Sequence, residues 1–205
     1  MKKIMLTAAA VMAFAFSNAQ ETKFGVKGGI NLHTITGDVN DDASSKVGFQ
    51  VGGFAEFKLS DKFAIQPELL LSSQGVKLEQ SEPDFDYEFE SKLNLLYLNI
   101  PVMAKFYATE KFSIEAGPQI GFLLSAKSKF DETEDGITVS GDTDVKDSFE
   151  SIDFGVNFGA GYDFTENLNV GLRYNLGLSN IAKTEDGDDT EIKNSVFSLS
   201  VGYKF

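Results

Sequence analysis

The sequence predicts an all-β fold: an eight-stranded, antiparallel, up-and-down transmembrane β-barrel behind a cleaved signal peptide. Three observations predict it. Apolar residues recur with period two in eight stretches. The connections between those stretches alternate between long and short. The opposite face of each stretch is rich in Gly, Ser and Asn, which suit a narrow interior better than a bare water-facing surface.

The order of elements begins with an address. Met1 to Gln20 carries Lys2 and Lys3, an apolar run from Ile4 to Phe16, and the small residues Ser17-Asn18-Ala19. That is the pattern of a secretory signal peptide, with residues 1–19 removed and the barrel domain spanning residues 20–205. The apolar run is too short to cross a bilayer.

The first strand sets Phe24, Val26, Ile30 and Leu32 against Lys27, Gly29 and Asn31. The second sets Val47, Phe49, Val51, Ala55, Phe57 and Leu59 against Gln50, Glu56 and Lys58. In the third, Phe63, Ile65, Leu69 and Leu71 oppose Gln66, Glu68 and Ser72. Leu96 to Phe106 form the fourth, with Asn99 and Lys105 on the other side, and Phe112 to Leu124 the fifth, opposite Glu115 and Gln119. The sixth runs from Phe154 to Tyr162 and the seventh from Leu168 to Leu178, where Arg173 is the one charge. The eighth runs from Phe197 to Phe205.

Connections at 60–62, 108–111 and 163–167 are short, while those at about 36–45, 79–92, 127–150 and 183–193 are long. All long ones then fall at one end, as in outer-membrane barrels. A band about 25 Å tall crossed at about 40° takes roughly 10 residues per strand, which these stretches supply. Aromatic residues beside the short turns, among them Phe57, Phe63, Tyr107, Phe112 and Tyr162, suggest an interfacial girdle. Pro67, Pro101 and Pro118 lie inside strands and predict bulges or gaps in pairing. "SEPDFDYEFES" (81–91) alternates aromatic and acidic residues, so the third and fourth strands are expected to continue beyond the membrane.

Composition narrows function. There are 31 acidic and 18 basic residues, a net charge of −13, no Cys and a single His. Thiol chemistry and cysteine metal sites are excluded, and a nucleic-acid partner is not expected. Of the 31 acidic residues, 22 fall in the four long connections, which predicts mutual repulsion and loose shielding by divalent ions rather than a specific site. Asp38 to Asp42 and Asp186 to Asp189 supply oxygen ligands, but neither continues as an EF-hand loop. No cofactor and no metal are expected.

Inward charges must meet in so narrow a lumen. Glu56, Glu68, Lys105, Glu115 and Arg173 lie at similar depths on five strands, with Lys27 and Lys58 nearby. They predict a paired interior cluster that plugs the barrel; the alternative is a narrow channel for small solutes or ions. A weaker alternative is a lipid-modifying enzyme using His33, the one candidate base, placed at the outer rim of the first strand. Catalysis is not expected.

Five blocks carry a family resemblance: "FAIQPELLLSSQG" (63–75), "YLNIPVMAKFY" (97–107), "EAGPQIGFLLSAK" (115–127), "DFGVNFGAGYDF" (153–164) and "RYNLGLSNI" (173–181). Together they resemble the PorT-like, porin-type outer-membrane β-barrel family of Bacteroidetes-type bacteria, and more broadly the OmpA and OmpX barrels. The resemblance implies an outer-membrane protein with a structural or interaction role, as a surface-loop anchor or a component of a membrane or secretion assembly. The expected partners are outer-membrane lipid and lipopolysaccharide, the barrel-assembly machinery and a further membrane protein, with a monomer as the default. Tyr203 and Phe205 on the last strand resemble the signal that assembly machinery reads.

Overall fold

The computed structural model describes residues 21–38, 43–82, 87–134, 137–184 and 190–205. The expected signal peptide, Asp41, Asp42, Phe85 and the Asp186–Asp189 run lie outside the described residues. The strands are β1 (Glu21–Gly37), β2 (Ala43–Lys58), β3 (Phe63–Glu82), β4 (Tyr87–Tyr107), β5 (Phe112–Glu134), β6 (Ile137–Asp144), β7 (Ile152–Asp163), β8 (Leu168–Gly177) and β9 (Ile192–Lys204). Their order is β4-β3-β2-β1-β9-β8-β7-β5-β6, and β4 also pairs with β5. Eight strands therefore close a ring, all neighbours antiparallel. Closure removes the unpaired edges that a lipid environment would penalise.

The ninth strand is a departure from the expectation. The long connections 79–92 and 127–150 are largely strand. β3 and β4 pair continuously from Phe63↔Phe106 out to Glu82↔Tyr87 apart from one gap. β5 follows β4 to Glu134 and then turns back into β6, which pairs with β5 alone. A four-stranded sheet, β3 to β6, thus stands beyond the ring. The continuation of β3 and β4 through 79–92 agrees with the alternation read in 81–91; the outer part of β5 and β6 was not foreseen, because the side chains of 127–150 are mostly charged and polar.

The prolines interrupt pairing without changing register. β3 and β4 pair at Pro67↔Val102 and again at Leu70↔Asn99, with no shift between. Likewise Pro101↔Gln119 and Ala104↔Ala116 flank a gap between β4 and β5. No bulge forms at either place. The register shift in this pair lies instead at Leu96/Tyr97, opposite Leu123 and Ser125, where β5 carries one extra residue. That bulge re-aims β5, so that Leu123 and Ala126 are both buried while Leu124 stays exposed.

Phe24, Val26, Ile30, Val47, Phe49, Val51, Leu69, Phe154, Phe158, Leu172, Leu199 and Val201 are exposed on the outside of the ring. A water-soluble barrel would turn this face inward; here most of the buried residues are Asn, Gln, Ser and charged residues. Two girdle candidates differ: Phe57 is buried, and Tyr107 shares the inner parity of Lys105. The inner face is also less uniformly polar than the sequence suggested. Phe54, Leu70, Leu95, Tyr97 and Met103 all point inward and are buried. Phe54 occupies the space that Gly25 leaves open, where an added Cβ would lie 2.4 Å from the Phe54 Cζ.

Candidate functional site: a layered barrel interior

The interior is built in layers from the short-turn end upward. Each layer follows from parity: alternate residues of one strand point inward, and neighbouring strands bring their own inward residues to the same depth.

The lowest layer centres on Glu56 of β2. Its Oε2 accepts from Lys105 Nζ at 2.8 Å and from the Tyr107 hydroxyl at 2.9 Å. Lys204 Nζ donates to Glu56 Oε1 at 3.2 Å and to Asp163 at 3.1 and 3.2 Å. The next layer centres on Arg173 of β8. Its guanidinium grips Glu68 with two parallel bonds of 2.9 Å and donates to Glu115 from Nε at 2.9 Å and from Nη2 at 2.7 Å. Lys27 Nζ lies 3.3 Å from both oxygens of Glu68. Gln66 joins the two layers, accepting from Lys105 at 3.1 Å and donating to Glu68 at 2.7 Å.

Six of the seven residues expected in the interior cluster meet here. Lys58 stands beside them at the mouth, half-buried, with Nζ 5.9 Å from the Tyr107 ring. It lies two residues nearer the short-turn end than Glu56, and Lys204 supplies a second ammonium at that carboxylate. Lys204, Asp163, Gln66 and Tyr107 were missed. Lys204 was readable, because alternation in the last strand already put it on the inner face. Asp163 was read as a turn residue, and the curl of β7, β8 and β9 brings it to Lys204. Four carboxylates, Glu56, Glu68, Glu115 and Asp163, face four cations, Lys27, Lys105, Arg173 and Lys204. The balance removes the net charge that would make burial prohibitive.

Above lies a layer of amides and hydroxyls. Asn31 donates to Ser72 at 3.0 Å and accepts from Ser198 at 2.9 Å. Asn175 donates to Asn157 at 3.1 Å, which donates to Gln119 at 3.2 Å. Ser72, Gln119, Asn157, Asn175 and Ser198 help to line a cavity of about 10 Å³, room for roughly one water.

His33 belongs to the following layer, not to the rim. It is fully buried, between Gly75 of β3 and Asn194 of β9. Asn194 donates its Nδ2 to Asp153 at 2.7 Å, so its Oδ1 is free to accept from His33 Nε2 at 2.8 Å. Nδ1 faces the Gly75 backbone, 2.6 Å from its carbonyl oxygen and 3.1 Å from its N–H. Gly75 has φ +148°, and a Cβ there would lie 1.9 Å from the Leu93 carbonyl oxygen. Only glycine gives the histidine this backbone contact. With both ring nitrogens engaged, His33 presents no base to lipid or solvent.

An apolar cap closes the outer end. Leu95, Tyr97, Leu123, Ala126 and Ile181 form a buried cluster, against which Ile35, Leu93, Val145, Phe149 and Ile192 pack. The segment after β6, with one 3-10 turn at Lys146–Ser148, folds over the ring and is held by Glu150 N to Ile181 O at 2.8 Å. The sequence signal was weak, because Val145, Phe149 and Ile181 are isolated apolar residues in polar connections. Among the described residues no group of His, Asp and Glu is arranged to hold a metal ion. Tyr203 and Phe205 are exposed at the short-turn end, with ring centroids 5.6 Å apart, and the Phe205 N–H donates to Phe24 O at 2.8 Å.

A closed antiparallel ring with an apolar exterior and a polar, packed interior defines an integral membrane protein that crosses with strands. Residues 17–183 match the family model described as outer membrane protein beta-barrel domain. The chain belongs to that family, and its place is the cell outer membrane. Among solved structures it is similar to Ail, the attachment invasion locus protein of Yersinia pestis, at 14% identity and TM-score 0.50, covering 91% of this chain and 100% of Ail. It is also similar to Neisserial surface protein A, at 15% identity and TM-score 0.52, covering 91% of this chain and 100% of that one. At such identities the likeness shows the fold. No curated protein matches the chain.

Proposed function

We propose that the chain is a plugged, non-conducting anchor barrel whose role is structural or interactive. In this reading its eight-stranded ring holds the β3–β6 sheet at the cell surface. The observation that carries this reading is the charge network across the lumen. Arg173, Lys27 and Glu68 tie β8, β1 and β3 together, and Lys105, Lys204 and Glu56 tie β4, β9 and β2. An ion would have to break these pairs and then cross the apolar cap.

Membership of the PorT-like branch rests on the five sequence blocks quoted above. A place in a secretion or other membrane assembly is part of the same proposal, with the outer sheet as its contact surface. The chain is proposed to begin with a signal peptide, residues 1–19, ahead of one barrel domain. Tyr203 and Phe205 are proposed to be read by the barrel-assembly machinery. The engaged ring of His33 supports a non-enzymatic role.

The test is conductance. Refolded protein in planar bilayers is expected to give no stepwise currents. Discrete channel openings in the unaltered protein would refute the plug and favour a narrow channel.

A further inference from the structure

Asp153 of β7 is the odd carboxylate of the interior. Glu56, Glu68, Glu115 and Asp163 each meet a lysine or Arg173. Asp153 is 6% exposed, and among the described residues its hydrogen-bond donors are both neutral. Ser179 Oγ donates to its Oδ1 at 2.9 Å, and Asn194 Nδ2 to its Oδ2 at 2.7 Å. A buried charge held by neutral donors alone is costly, so a counter-charge belongs close by.

The surroundings of His33 supply one. Asn194 commits its amide nitrogen to Asp153 and so turns its oxygen to His33 Nε2 at 2.8 Å, which places a proton on that ring nitrogen. The other nitrogen, Nδ1, lies 2.6 Å from the Gly75 carbonyl oxygen. Two lone pairs repel at that separation, and a proton between them turns the contact into a short, charge-assisted bond. The Gly75 N–H, at 3.1 Å, is the longer approach. Each ring nitrogen thus faces an oxygen closely enough to need a proton, and a ring with two protons is an imidazolium.

The other groups around the ring are few. Lys46 of β2 is its cross-strand partner, and the lysine charge opposes a second one on the ring. Lys46 is half-buried, however, and its Nζ is taken up by the Leu93 carbonyl and the Asn94 oxygen. Solvent screens that charge more than it screens Asp153 from His33 across a single amide. Tyr97 of β4 stands beside Asp153, both of them near Gly121 of β5, and carries no charge near neutral pH. β3 and β9 bring the Gly75 backbone and the Asn194 amide, both neutral.

This network lies directly beneath the outer cap. Each segment that enters it also supplies a cap residue two positions away: Ile35 from His33, Ile192 from Asn194, and Ile181 from Ser179. Asp153 follows the fold-over segment, whose Glu150 N–H bonds to the Ile181 carbonyl at 2.8 Å.

We infer that His33, Asn194 and Asp153 form a proton-sensitive latch, an imidazolium bridged to a carboxylate through one amide, that holds the cap on the ring. With the proton bound the pair is neutral overall and ties β1, β9 and β7 together under the cap. Loss of the proton leaves Asp153 without its counter-charge and sets the Nδ1 lone pair against the Gly75 oxygen. In the unfolded chain an ordinary histidine sheds its proton near pH 6.5, at roughly that value. The latch holds the proton beyond that point, so its contribution is complete below about pH 6.5 and is lost as the pH rises past the release point. It does not depend on whether the charge layers below conduct.

The chain has a single histidine, so nitrogen NMR of the untagged full barrel, refolded in lipid with isotope-labelled histidine, reads this ring alone. At about pH 7 both ring nitrogens are expected to carry protons, and Asp153→Asn is expected to weaken proton binding about tenfold or more. The Val145 and Glu150 amides, bonded to the Ala126 and Ile181 carbonyls, report on the cap. Between about pH 6 and about pH 9 their exchange protection, corrected for the intrinsic rate, is expected to fall about tenfold in the unaltered protein and less than about twofold in His33→Gln. A neutral ring at about pH 7 in the unaltered protein overturns the proposal, whether or not any variant folds. So does a proton affinity that Asp153→Asn leaves unchanged, or cap protection that stays level while the ring titrates.

Discussion

Arg173→Ala is the most informative single change, because one side chain holds two carboxylates on two other strands. Glu68 loses a bidentate partner but keeps Lys27 at 3.3 Å and Gln66 at 2.7 Å. Glu115 loses both bonds to Arg173, at 2.9 and 2.7 Å. It is 9% exposed, so water reaches it poorly. Removing one partner of a buried pair costs about 3–5 kcal/mol, mostly from the charge left behind. At about 1.4 kcal/mol per factor of ten, the folded population should fall by about two to three and a half decades. The assay is urea unfolding of the barrel refolded in lipid vesicles, followed by the electrophoretic mobility difference between folded and unfolded forms. The mechanism makes a second demand: adding Glu115→Gln to Arg173→Ala should recover part of the loss, since the orphaned charge is gone. A loss below about 1 kcal/mol for Arg173→Ala, the level of a surface ion pair, would refute the reasoning. So would a double variant no more stable than the single one.

Other expectations follow from neighbouring layers. His33→Ala strands the Gly75 carbonyl and the Asn194 oxygen, at about 1–3 kcal/mol for each buried unsatisfied group, and membrane lipid composition should not change. A lowered midpoint with unaltered lipids supports that account, and altered lipids would restore an enzymatic role for His33. Gly75→Ala should prevent correct pairing of β3 with β4, because its Cβ would meet the Leu93 carbonyl at 1.9 Å; refolding yield measures this. Leu95→Ala in the outer cap should cost about 2–5 kcal/mol in the same unfolding assay. Leu199→Arg, on the exposed face of β9, should cost about 2–4 kcal/mol in lipid if that residue lies near mid-bilayer.

The barrel was legible because its governing constraint is local. Each strand must turn one face to lipid and one inward, and that writes a period-two pattern into residues such as Leu168 to Leu178. The charge cluster was legible for the same reason, since depth along a strand can be counted from the short turns. Lys58 shows the limit: counting gives depth to within a residue or two, and that margin separates a buried ammonium from one at the mouth.

Position in the chain alone therefore determined the class of fold, the membrane-facing surface and most of the interior charges. Tertiary structure decided the rest. The curl of β7 to β9 brought Asp163 to Lys204, 41 positions apart, and closure of the ring between β1 and β9 brought Asn194 to His33, 161 positions apart. The bulge at Leu96/Tyr97 and the fold-over of residues 145–151 made an apolar cap from scattered side chains. The outer sheet exists because β3, β4 and β5 continue each other's hydrogen-bond ladders past the membrane. Such ladders are made by backbone groups, which every residue carries alike, so β6 and the outer part of β5 left little trace in side-chain pattern, whereas the alternation in 81–91 did mark the extension of β3 and β4.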